Sequence, residues 1–160
     1  MGKGGLVLGV IALILGASGL GFGLITWIDQ GKTDFWYDYE EAIFTPNPAA
    51  VYLNVPNLYV IIELDASATI HMLFTTSTRI LPDPVSFADM IFYFWIDGER
   101  LLNPFTRAGP YQGDATYQYY PVALQYSQLL TAGIHNISIV VFSETAGNFM
   151  RHSALAVTRY

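Results

Sequence analysis

From Leu6 to Ile28 the chain runs for 23 residues without a charge. In an apolar medium only a helix satisfies the backbone of such a run. As a helix it spans about 35 Å at roughly 1.5 Å per residue, enough to cross a bilayer with some tilt. Gly2, Gly5, Gly9, Ala12, Gly16, Gly19, Gly23 and Thr26 follow one another in steps of three and four. Such steps bring side chains onto one helix face. That face is nearly bare backbone, while most positions between carry Leu, Val, Ile or Phe. Small-residue stripes let membrane helices approach closely, and a strict seven-residue repeat winds into a left-handed supercoil. Glycine costs a helix in water about 1 kcal/mol relative to alanine, but unsatisfied backbone in lipid costs more. The segment therefore predicts one long hydrophobic helix over residues 1–28, packed against copies of itself as a membrane anchor or a filament core.

The flanks agree with an anchor. Lys3 precedes the run, Trp27 closes it, and Phe35, Trp36 and Tyr37 follow as interfacial aromatics would. The single lysine and the N-terminal amine place the N-terminus inside and the rest outside. Two other readings stand beside this one. A cleaved signal peptide would use Leu6–Leu15 as its core and Gly16-Ala17-Ser18-Gly19 as its cleavage site. A pilin-type leader would end after Lys3-Gly4-Gly5. The apolar run continues to Ile28, further than a removed signal needs.

Residues 29–48 mix acids with aromatics and end in Pro46 and Pro48, which reads as a juxtamembrane neck. Asp38, Glu40 and Glu41 lie there, in a spacing that fits no standard calcium loop. With Lys3 set apart, 13 acidic residues face six basic ones. That balance excludes a nucleic-acid partner, which requires a basic footprint. The chain has no cysteine, so disulfides, thiolate metal sites and cysteine nucleophiles are excluded together.

Residues 49–160 read as an all-β domain, rich in the aromatic and β-branched residues that favour strands. Val51–Val55 and Leu58–Leu64 are strand-like, with a turn expected at Pro56-Asn57. Over Thr69–Ile80, His71, Leu73, Thr75 and Ser77 alternate with Ile70, Met72, Phe74 and Thr76. Met90–Ile96 is continuously apolar, to be buried on both sides or covered by a neighbouring subunit. Asp97-Gly98 signals a hairpin into Arg100–Leu102. Asn103–Gly113, with its prolines and glycines, reads as a long loop. Strands over Ala115–Leu130, Ile134–Phe142 and Ala154–Tyr160 complete the set. Seven or eight strands with regular turn signals predict an antiparallel β-sandwich, jelly-roll or immunoglobulin-like.

Leu130-Thr-Ala-Gly-Ile-His-Asn-Ile-Ser-Ile-Val-Val, Phe92–Gly98 (FYFWIDG) and the terminal Leu155-Ala-Val-Thr together resemble the C1q/TNF-like jelly-roll heads. The resemblance covers about 110 residues. It implies a trimeric head and carries over no catalytic residue.

Candidate chemistry is sparse. His71, His135 and His152 lack metal-ligand spacing. No G-x-S-x-G elbow or phosphate-binding glycine loop is present, so no catalytic, cofactor or metal residue is assigned and no enzyme activity is expected. Asn136-Ile137-Ser138 is an N-glycosylation acceptor. If Asn136 faces outward, Ile137, Ile139 and Val141 face the core, and Ser138 and Val140 face outward. Tyr111, Tyr117, Tyr119, Tyr120 and Tyr126 gather around the long loop and the strand after it, suited to a sandwich core, a subunit interface or sugar stacking.

The expectation is a structural cell-surface protein that self-assembles through its small-residue stripe and its head. It forms either an extracellular filament or pilus subunit or a membrane-anchored homo-oligomer, with itself, lipid and surface glycans as partners. A surface adhesin that binds carbohydrate is the alternative, and a jelly-roll viral coat protein the third reading. A filament built by strand donation would draw on Val51–Leu64.

Overall fold

The computed structural model describes residues 34–81, 89–109 and 116–159. The predicted helix over 1–28, with its stripe from Gly2 to Thr26, lies outside the described residues, as does Tyr111. Eight strands form: β1 (Phe35–Glu40), β2 (Tyr52–Leu64), β3 (Ala68–Ile80), β4 (Met90–Ile96), β5 (Glu99–Ala108), β6 (Gln118–Leu130), β7 (Gly133–Ser143) and β8 (Phe149–Arg159). They pair antiparallel into two four-stranded sheets, ordered β1-β8-β3-β6 and β2-β7-β4-β5. All-β architecture was expected, and among the described residues no helix occurs.

The two sheets stack because each strand presents an apolar set to its partner sheet. β3 buries every second residue from Ala68 to Ile80, a period of two that only a strand gives. Phe74 of β3 and Phe92 of β4, both fully buried, meet across the interlayer with ring centroids 5.5 Å apart. Leu58, Ile62, Met72, Phe94, Ile137, Ile139 and Met150 fill the rest of the core.

Asp97 (φ 52°) and Gly98 (φ 90°) occupy the left-handed region at both central positions of the β4–β5 hairpin. That is what a two-residue turn of this type requires.

Three segments differ from the sequence reading. Strand β1 falls inside the stretch read as a neck and pairs with β8 from Phe35↔Thr158 to Glu40↔Ser153. Its aromatics read as interfacial, yet their alternation with Asp and Glu is also a strand pattern. The turn expected at Pro56-Asn57 is a register shift within one continuous β2, with Asn57 at φ 58°. The loop expected from Asn103 is strand as far as Ala108, with Pro104 inside it. Both exceptions have one cause. β2 and β5 are edge strands, where proline's missing N–H removes no ladder bond. The edge strand β6 also carries a proline, Pro121. Segment 51–64, considered as a donated strand, pairs instead with β7 of its own chain.

Candidate assembly surface

The outward faces of the two sheets are built differently. On the first sheet the register aligns three complete rows across four strands. They are Phe35–Thr158–His71–Ser127, Tyr37–Ala156–Leu73–Gln125 and Tyr39–Ala154–Thr75–Ala123. No carboxylate, lysine or arginine lies in them. The β1 aromatics stand at the margin, Phe35 52%, Tyr37 49% and Tyr39 47% exposed. Phe35 stands beside Thr158 of β8, Tyr37 beside Ala156 and Tyr39 beside Ala154, and the Tyr39 hydroxyl lies 3.0 Å from His152 Nδ1. Phe35 and Tyr37 stack with centroids 6.3 Å apart.

Beyond this rank, β1 meets the edge of β2. Asp38 accepts the backbone N–H of Tyr59 at 2.8 Å through Oδ2 and that of Tyr39 at 2.9 Å through Oδ1. An open depression of about 400 Å³ lies at this corner, lined by Trp36, Tyr37, Asp38, Asn57, Tyr59, Val60 and Ile61. Tyr59 and Ile61 are more than half exposed.

On the second sheet the outward face carries a satellite apolar layer. Tyr52 packs on Phe142 at 4.9 Å and on Tyr93 at 5.8 Å, and Tyr93 packs on Phe105 at 5.7 Å. The Arg100 guanidinium covers Tyr52, 3.8 Å from its ring centroid. Beneath them Val140 is on the outer face, as expected, but only 1% exposed. Its strand neighbours Asn54 and Tyr93, with the rings around them, shield it in place of water. Ile91 and Tyr93 are buried in the same way, so β4 is apolar on both sides and covered on its outer side by its own chain.

The tyrosines near the long loop divide. Tyr119 is exposed and Tyr117 partly so. Tyr120 and Tyr126 are half-buried and pack on the core. Asn136 is exposed on β7 and donates its backbone N–H to Asp97 Oδ1 at 2.8 Å. Its neighbour His135 is inward. Its Nδ1 lies 2.6 Å from Asp97 Oδ2, and its Nε2 lies 2.9 Å from the Thr131 carbonyl oxygen. Both partners are acceptors, which favours the doubly protonated ring. The Asp97 hydrogen bond, aided by Thr131, raises the His135 pKa above its ordinary value. Burial pushes Asp97 up, but the hydrogen bonds from His135 and Asn136, with the imidazolium charge, hold it below the usual range overall.

Sequence reasoning missed Arg79 and Arg151, and the roles that Asp38 and Arg100 play. Their roles depend on strands far apart in the chain, and no local motif marks them. Among the described residues no three His, Asp or Glu side chains gather as a metal site. In comparison with known proteins, the chain matches no family model and no curated protein sequence.

Proposed function

We propose that the chain is a structural, self-assembling cell-surface protein. In this reading the N-terminal apolar segment holds copies together or anchors them in lipid, and the β-domain is the outward head. The strand order β1-β8-β3-β6 over β2-β7-β4-β5 supports a jelly-roll assignment, in keeping with the resemblance to C1q/TNF-like heads. One observation carries the assembly reading: the rank Phe35, Tyr37 and Tyr39 stands exposed beside three rows free of carboxylate, lysine and arginine. Exposed aromatics beside a small-residue plain are suited to a partner surface. Tyrosine and phenylalanine offer large contact area at low entropy cost, and charged residues are depleted at interface centres. The partner is a second copy of this head, in a closed oligomer or a filament.

The test uses the full-length chain in lipid nanodiscs, with chemical cross-linking and electron microscopy. The wild type is expected to show head-to-head cross-links in discrete oligomers or filaments. Tyr37→Glu combined with Leu73→Glu is expected to abolish those cross-links while the circular dichroism of the head stays unchanged. Wild-type heads that remain solitary would overturn the reading.

A further inference from the structure

Beyond the three rows, the outer face of the first sheet ends in two arginines. Ser77 pairs with Arg151 and Arg79 pairs with Phe149, so the arginines are diagonal neighbours on adjacent strands. Diagonal pairs stand about 7–8 Å apart, within joint reach of long side chains. The Arg79 guanidinium lies 3.8 Å from the Tyr117 ring centroid and 4.2 Å from that of Phe149. An arginine with aromatic rings on its faces keeps its N–H donors at the in-plane edge, held rigid and poorly hydrated. Nε of Arg79 and Nε of Arg151 are both buried without a hydrogen-bond acceptor. No carboxylate among the described residues forms an ion pair with either arginine. By contrast, Arg107 pairs with Asp89 and Arg159 with Asp65. Among the described residues these two neighbouring cations have no carboxylate partner, and their terminal guanidinium N–H groups are left to attract an anion from outside the chain.

The surroundings select the kind of anion. Tyr119 sits directly opposite Arg79 on β6, 58% exposed, with the exposed Pro121 two residues on. A flat apolar ring beside a guanidinium edge fits a pyranose that carries a carboxylate. An acidic peptide fits less well: it would seek main-chain pairing at a strand edge, and Pro121 interrupts the edge strand β6. We infer that Arg79 and Arg151, framed by Tyr117, Tyr119 and Phe149, form a binding site for an acidic saccharide of the uronic-acid type. The carboxylate takes in-plane N–H donors of the arginines, and the sugar ring lies on Tyr119.

The experiment is isothermal titration calorimetry on the full-length chain in lipid nanodiscs. The probes are an oligogalacturonate, a neutral oligogalactoside of equal length and a polyglutamate peptide. The oligogalacturonate is expected to bind alone. Arg79→Gln and Arg151→Gln should each weaken it by about ten- to a hundredfold, the range for a lost charge-assisted hydrogen bond. Arg151→Lys, which keeps the charge but loses the planar fork, should weaken it less, and Tyr119→Ala several-fold. Thermal melts of each variant report folding, and Arg151→Lys serves as the reading where Arg79→Gln melts early. Absence of oligogalacturonate binding, equal binding of the neutral sugar, or equal binding of polyglutamate that ignores Tyr119→Ala each overturns the assignment. Cross-linking of the heads is scored separately, so failure of the assembly reading leaves this result interpretable.

Discussion

The two outer faces of this sandwich obey different rules. On the first sheet, β3 alternates buried with more open residues for its whole length, and the β8 residues beside His71, Leu73 and Thr75 are small. On the second, six of the seven residues of β4 are buried and β7 buries three in succession, Ile139 to Val141. The inner faces differ little, since both supply the shared core. The outer difference comes from side-chain height. Aromatics on β2, β5 and β7 lean over β4 and shed water from it, whereas Thr158, Ala156 and Ala154 of β8 leave Phe35, Tyr37 and Tyr39 about half exposed. One face has satisfied its own apolar surface, and the other has left it open.

Truncation tests this contrast most strongly. Tyr93→Ala is expected to cost roughly 3 kcal/mol, as loss of a buried aromatic does. Leu73→Ala, at the matching position of the first sheet, should cost about 1 kcal/mol because that side chain is only partly buried. Urea midpoints followed by tryptophan fluorescence measure both, and equal losses would break the comparison. A smaller effect is expected at the lid: Arg100→Ala should cost about 1 kcal/mol through lost stacking on Tyr52 and lost cover of the rings.

The smallest effect is a matter of sign. The two sheets each carry a histidine, and their pKa values move in opposite directions. Burial lowers His71 below 6.5, so the folded head resists its protonation. Its contribution is intact at alkaline pH and is lost as pH falls through 6.5 toward the lowered value. His135 is raised by Asp97, so its contribution is complete below 6.5 and lost as pH rises through the raised value. Asp97, held low, contributes above 3.8 and loses that as pH falls through its folded value. Asp97→Asn should therefore flatten the alkaline decline in melting temperature, and His71→Gln the decline below pH 6.5. Asp97 is 45% exposed, so solvent screening keeps the first slope shallow.

Much of the layout was legible in the residues. The period of two over Thr69–Ile80, the turn at Asp97-Gly98 and the two-sided apolar run Met90–Ile96 all reappear as structure. What escaped is informative. β1 hid within an acidic stretch because its partner, β8, is over a hundred residues away. Pro56 and Pro104 looked like breaks because a sequence does not say which strands lie at an edge. The cover over outward Val140 was not legible, because alternation alone does not say that Tyr93, Tyr52 and Phe142 exclude water there. The arginine pair was illegible for the same reason as β1: only the β3–β8 register brings Arg79 and Arg151 together.

The capped edges have a further consequence. Pro56, Pro104 and Pro121 interrupt three of the four edge strands, and Asp38 occupies edge N–H groups of β1 and β2 at the fourth. Under the proposed function, copies held on one surface would reach local concentrations of roughly millimolar order. At that density an unguarded sheet edge would seed cross-β growth. The interrupted edges therefore disfavour backbone pairing between copies of this chain and leave side-chain contact as the route of any association under the proposed function.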